Sequence, residues 1–249
     1  MTDVAALAWR QYRLERLLFW RNPSAAFFNF LLPLLFLAFF GAAFHSDHKE
    51  LRIIVPGIAA MAVMSTTFTA LAFNMTFLRE QGVLKRIRGT PMPGISYLLG
   101  IAGNAVTNTT TQIVIITVAG RVFFGTGWPR EWVELVVFVV VGVVSFAALG
   151  VAFAHAIPNF ESTAAYVNAV FLPVVFVSFY AFDTASAPAF VRGIADALPL
   201  KPLIEGLSGA IVTGAGLGSN LGALAVIASW GVVGGWLAVR GFSWEQRRG

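Results

Sequence analysis

Six stretches of this chain carry no Asp, Glu, Lys or Arg: residues 25–44, 53–78, 89–120, 135–160, 162–182 and 206–239. The shortest has 20 residues. A helix rises about 1.5 Å per residue, so about 20 residues cross a hydrocarbon layer of ~30 Å. Membrane-spanning strands would instead alternate over about 10 residues. The run Leu31, Leu32, Pro33, Leu34, Leu35, Phe36, Leu37 does not alternate. Only 12% of the 249 residues are charged and 57% are hydrophobic, against about 25% charged in soluble domains. One soluble core of this size leaves a large part of its surface exposed and has no place for so much apolar area. The composition also excludes disorder, and the absence of cysteine excludes a disulfide scaffold.

The pattern predicts an all-α membrane protein with six transmembrane helices over 25–44, 53–77, 95–120, 135–156, 162–182 and 221–240. The third begins after Gly89-Thr-Pro-Met-Pro-Gly94, and the last follows the turn-like run Gly214-Ala-Gly-Leu-Gly-Ser-Asn220. Residues 186–218 are expected to form an extracellular or re-entrant segment. No small-residue cleavage site follows the first arginines, so the first span is expected to be retained. With six spans both termini share a side. Eleven of the 17 Lys and Arg residues fall there, but only five of the 12 acids. The positive-inside rule makes that side cytoplasmic. The net charge of +5 is then explained by anionic headgroups and orientation, not by nucleic acid.

The segment 3–21 reads as an amphipathic interfacial helix. Leu7, Leu14 and Leu18 share one face, Arg10, Arg13 and Arg16 lie toward the other, and Trp9, Tyr12 and Trp20 suit the headgroup layer. A loosely ordered basic tail is the alternative. The cytoplasmic loop 79–91 carries Val83, Leu84 and Ile87 at helical spacing beside Lys85, Arg86 and Arg88. Gly82 permits a bend, and Pro91 and Pro93 set the start of the next helix. On spacing alone two readings stand equal: a short helix docking into the groove of a cytosolic partner, or a basic loop on lipid headgroups.

Glu80, Gly82, Leu84, Lys85, Arg86, Arg88, Thr90 and Pro91 resemble the coupling-helix signature of the type-2 ABC transporter permeases, the membrane subunits of drug, lipid and polysaccharide exporters. Leu149-Gly150, Pro158-Asn159, Glu161, Asn168 and Leu172-Pro173 are similar to the family's run from the fourth span into the fifth. Pro199-Leu200-Lys201-Pro202 resembles its last extracellular segment. The chain departs at Ser178-Phe179-Tyr180, where members often carry Ser-Gly. The resemblance covers essentially the whole chain. It implies a permease that exports a hydrophobic or amphipathic substrate (drug, antibiotic or lipid) across a bacterial cytoplasmic membrane. Two copies of a separate cytosolic ATPase would bind ATP and Mg, and a second permease, identical or homologous, would complete the transporter. The same resemblance implies that Glu80 to Pro91 form the ATPase contact and that this chain binds no cofactor. A polysaccharide or glycolipid exporter of the same family is the nearest alternative, and an ion-coupled carrier needing no ATPase is another.

The residues agree with a borrowed motor. The three lysines are followed by Glu50, Arg86 and Pro202, never by Ser or Thr, so no Walker A loop is present. No catalytic motif is found, which leaves an intramembrane transferase without support. His45, Asp47, His48 and Glu50 could hold zinc or form a solvated loop. His155 falls at the end of the fourth span and reads first as an interfacial residue. The third span is polar along Asn104, Thr107, Asn108 and Thr111. These residues, with Tyr166, Asn168 and Ser178 of the fifth span, either bond neighbouring helices or line a substrate path. Gly231, Gly234 and Gly235 allow close helix contact in the last span.

Overall fold

The computed structural model describes residues 4–43, 48–89, 92–183 and 187–241. Every element in them is helical. His45, Asp47, Thr90 and Pro91 lie outside the described residues, as do the side chains of His48, Glu50, Leu84 and Arg88.

Helix α1 (Val4–Arg21) turns by 75° into α2 (Pro23–Ala43). Pro23 sits at the first helical position, where a missing N–H costs nothing. Helix α3 (His48–Met64) runs through a π-helical turn, Ser65–Thr69, into α4 (Ala70–Glu80). The π turn rests against α7, where the backbone of Phe68 approaches Gly150 so closely that a Cβ there would lie 2.6 Å from the Phe68 carbonyl oxygen. Such turns widen the helix locally and reaim its carbonyls. Short α5 (Val83–Arg88) precedes α6 (Gly94–Phe124), then come α7 (Trp132–Ala154) and α8 (Thr163–Asp183). Helices α9 (Ala189–Ala197) and α10 (Leu200–Ser208), a second π turn (Gly209–Thr213) and a 3-10 turn (Leu217–Asn220) lead into α11 (Leu221–Gly241).

Four helical runs are long and apolar enough to cross a membrane: Ile54–Glu80, Trp132–Ala154, Thr163–Phe182 and Leu217–Arg240. The bent pair α1 and α2 is a fifth candidate. The protein is therefore a multi-pass membrane protein. Helix α6 has 31 residues but falls short in hydropathy, because Asn104–Gln112 interrupts its apolar sequence.

Two features position the rest. Helix α10 lies inside the bundle, with Leu200, Leu203, Ile204 and Leu207 fully buried among Phe138, Val143 and Phe146 of α7 and Val63 of α3. Gly206 meets the Phe138 ring with no room for a Cβ. Helix α11 crosses α7 through Gly231 on Ser145 and Gly234 on the Leu149 backbone, while Gly235 faces open space. Small residues bring helix backbones together in this way because van der Waals packing drives association in lipid.

One charge lies where a span was not expected to hold it. Reading the gap as starting at Leu135 left Glu134 outside the membrane, but α7 begins at Trp132 and Glu134 is only 1% exposed. Its Oε1 accepts a hydrogen bond from Asn220 Nδ2 at 2.6 Å, at the foot of α11. Beside it, Ala210 O accepts the backbone N–H groups of Arg130 and Glu131 at 2.9 and 3.1 Å. A partner distant in sequence thus satisfies one oxygen of this buried carboxyl, while Oε2 has no hydrogen-bond partner among the described residues.

Candidate functional site at the joint between α4 and α5

Helix α4 ends because Gly82 adopts φ +66°, the left-handed conformation that glycine reaches without a Cβ penalty. Gln81 N and Gly82 N donate back to Phe77 O and Arg79 O at 3.0 and 3.1 Å. Helix α5 restarts at once, with Arg86 N on Gly82 O at 3.2 Å. Six residues of α5 are too few to stand alone in water, so its direction is set by the turn before it. Lys85 and Arg86 are exposed, and Val83 is half-buried.

The last turn of α4 is tied to the connection between α7 and α8. Arg79 donates through Nη1 to Ala154 O at 2.9 Å and through Nη2 to Ile157 O. A guanidinium over the terminal carbonyls of a helix satisfies orphan acceptors and meets the negative end of its dipole. Glu80 Oε2 accepts the Phe160 N–H at 2.6 Å. The Phe160 ring packs edge-on against Phe77 and Phe73, with centroids 5.3 and 6.3 Å away. Asn159 organises the same connection: Oδ1 accepts from Ser162 N at 2.9 Å and its carbonyl accepts from Ser162 Oγ and Thr163 Oγ1. This is an Asx-type turn that opens α8. His155 Nδ1 lies 3.1 Å from Ala152 O at the C-terminal end of α7. Arg79 and Phe160 are the members of this joint that spacing alone did not single out. The signal for Arg79 was its position in the last turn of a helix, but its acceptors lie about 75 residues away.

The other candidates divide. On α6, Arg16 Nη1 donates to Asn108 Oδ1 and, at 3.5 Å, to Asn104 Oδ1. Thr107 Oγ1 donates to Gly103 O, so Tyr12 OH, 3.1 Å away, donates to Thr107 Oγ1. Thr111 Oγ1 bonds Thr107 O at 2.8 Å. Gln112 takes a bond from Thr66 Oγ1 at 2.7 Å and donates to Asn29 O at 2.7 Å. The polar run of α6 thus meets α1, α2 and the π turn of the second span. On α8, Tyr166 and Asn168 are exposed, whereas Ser178 is fully buried with its hydroxyl unpartnered among the described residues. No hydrogen bond among the described residues joins the two sets.

Helix α1 rests on α6 through its polar edge. Gln11 packs on Gly100 and Tyr12 on Gly103, while Leu14, Leu17 and Leu18 stay exposed. Gln11 Nε2 donates to Glu15 Oε1 at 2.8 Å. Burial raises the Glu15 carboxyl above its ordinary value of 4.5, and the Gln11 bond opposes that only partly. Near α10, burial alone would lower the Lys201 ammonium, but its bonds to Asp196 and to Glu205 (2.8 Å) outweigh that and raise it.

The described residues thus form an all-helical membrane bundle in which the last turn of α4, just before the short charged helix α5, is tied to the connection between α7 and α8. Residues 2–212 match the family model described as ABC-2 type transporter. The chain belongs to that family. Two algal relatives are named as transport permease ycf38. The protein of Pyropia yezoensis is 25% identical over 198 residues, 75% of this chain and 67% of that protein. The protein of Porphyra purpurea is 26% identical over 216 residues, 82% of this chain and 72% of that protein. Members of the family generally pair with an ABC ATPase subunit.

Proposed function

We propose that this chain is the permease subunit of an ATP-driven exporter with six spans, both termini cytoplasmic, in a bacterial cytoplasmic membrane. Two copies, or one copy and a homologue, would assemble with two cytosolic ATPase subunits. The cargo is hydrophobic or amphipathic: a drug, an antibiotic or a lipid. The observation that carries the reading is the clamp of Arg79 and Glu80 on the connection from Ala154 to Phe160. A partner pressing on α5 moves α4 and the α7–α8 connection as one body, because backbone carbonyls and an N–H fix the joint. The second span carries a π turn at Ser65–Thr69, a local departure from α geometry at which it can flex. The movement shifts the bundle between inward-facing and outward-facing populations through differential binding.

Lys85 and Arg86 offer exposed charge to an acidic groove on the ATPase. Helix α8 supports the two-permease assembly: Tyr166, Asn168, Leu172, Phe176 and Tyr180 are exposed together. An asparagine facing lipid is costly, so a second permease covering this face, with cargo between the copies, is the lower-energy arrangement.

The experiment is co-expression with a cytosolic ABC ATPase that co-purifies with this chain, with ATP-dependent export and ATPase activity measured for Glu80→Ala and Arg86→Ala. Export is expected to fall at least about tenfold for Glu80→Ala, since a charge-assisted hydrogen bond contributes about 1.5–3 kcal/mol. Export and stimulated ATPase activity both unchanged in both variants would overturn the coupling role. Transport that persists without any ATPase would favour an ion-coupled carrier. A polysaccharide or glycolipid cargo is read out by the same assay with labelled glycan.

A further inference from the structure

We propose that α1 and α6 form a binding site for the phosphate of an anionic glycerophospholipid of the inner leaflet, built on Arg16. Trp9, Arg13, Arg16 and Trp20 follow one another at i, i+4, i+7 and i+11. At about 100° per residue they occupy one stripe, about 60° wide, along the edge of α1. Trp9 and Trp20, at its ends, are 60% and 57% exposed. Both indoles are held: Trp9 stacks on Tyr12 at 5.1 Å and Trp20 on Phe30 of α2 at 6.4 Å. Tryptophan collects at headgroup depth, where one edge meets acyl chain and the other meets water. Arg13 between them is exposed, and Arg16 is half-buried against α6.

The bonding of Arg16 is incomplete in a specific way. Both of its hydrogen bonds leave from Nη1, to the amide oxygens of Asn104 and Asn108. Its guanidinium lies 5.6 Å from the ring centroids of Phe19 and of Trp20. Neither ion pair among the described residues involves Arg16, since both belong to Lys201, and Glu15 is bonded to Gln11. Asparagine oxygens orient a guanidinium but do not neutralise it. The Nε–Nη2 edge has no partner among the described residues, and it is an edge of the fork that grips phosphate by two parallel hydrogen bonds. A half-buried, unneutralised charge is costly until an anion arrives. A lipid phosphate, not a soluble anion, fits the surroundings: Leu14, Leu17 and Leu18 stay exposed on the neighbouring face to meet acyl chains, and basic residues beside a span draw anionic lipid. The lipid would brace α1 against the polar face of α6. The placement in the inner leaflet rests on the orientation proposed above; the charge geometry does not.

The test reconstitutes the full chain in nanodiscs of phosphatidylcholine with a minor fraction of phosphatidylglycerol. The lipid retained per chain after detergent extraction is counted by mass spectrometry. Wild-type protein is expected to retain phosphatidylglycerol selectively. Arg16→Ala should lower that selectivity about tenfold, the worth of one charge-assisted hydrogen bond. Asn108→Asp should lower it as much while keeping α1 docked, because an isosteric carboxylate neutralises Arg16 from within. Should Arg16→Ala fail to assemble, Asn108→Asp carries the test by itself. Wild-type selectivity in a folded Asn108→Asp protein overturns the proposal, as does absence of selectivity in the wild type. Glycerol phosphate displacing the lipid at comparable concentration would make this a free-anion site and overturn the lipid assignment.

Discussion

The two ends of the bundle are held in opposite ways. At the α10 end, four aliphatic side chains and Gly206 fill a closed core around Phe138, and the carboxylate of Glu134 is sealed beneath them. At the α5 end, the joint depends on Arg79, Glu80 and the contacts of Phe160 with Phe73 and Phe77, with Glu80, Phe77 and Phe160 exposed. Close packing has one solution and resists deformation. Charge-assisted hydrogen bonds can be broken and remade at a net cost of about 1.5–3 kcal/mol each. A transporter needs both: a rigid body, and a joint through which a partner can move it.

That contrast makes graded predictions. Gly206→Val should have the largest effect. A Cβ there would stand 2.1 Å from the Phe138 ring, so overpacking should cost about 3 kcal/mol or more. Gel filtration in detergent would show loss of the monodisperse protein, and wild-type thermal stability would break the contrast. Glu134→Ala should follow, at about 1–3 kcal/mol, by leaving the Asn220 amide unpaired in a buried place. Glu134→Gln should recover most of it, because its amide oxygen still accepts from Asn220. Both are read as shifts of Tm.

Arg79→Ala sharpens the comparison from the other end. Thermal stability should fall by about 1–2 kcal/mol, less than at Gly206, since two carbonyls lose a donor but no side chain is forced out of place. Export coupled to ATP should fall at least about tenfold, with substrate binding retained. A large loss of fold together with function would make the α5 end as structural as the α10 end. The smallest effect is expected at Glu15. Its raised carboxyl means the folded protein binds the proton more tightly than the unfolded chain does. Docking of α1 should therefore tighten as pH falls from 7 toward 4.5, and weaken as pH rises above 4.5 until the folded-state value is passed. Glu15→Gln should remove that dependence, as followed by tryptophan fluorescence of Trp9 and Trp20.

Much of the local structure could be read directly. The turn at Gly82 was legible because a left-handed residue after a helix calls for glycine. The helix expected over 95–120 runs Gly94–Phe124, started by Pro93 and ended by left-handed Gly125. Gly231 and Gly234 meet α7 as their spacing suggests, but nothing in the spacing distinguishes them from Gly235, which meets nothing. The joint was half legible: Glu80 stood out, but its acceptor role toward Phe160 spans 80 residues.

The amino-acid sequence by itself determined that this chain is a helical membrane protein and which loop is basic. These follow from local rules, since hydrocarbon excludes charge and demands that every backbone group be bonded within its own segment. Only the tertiary structure decided which polar groups are partnered. Glu134 looks like a loop residue until Asn220 arrives from 86 positions away. In the sequence Asn104, Thr107 and Asn108 could bond a neighbouring helix or line a path, and only the fold sets Tyr12 and Arg16 against them. The cost of a buried polar atom depends on what stands opposite it, and helix packing brings together residues that the chain holds far apart.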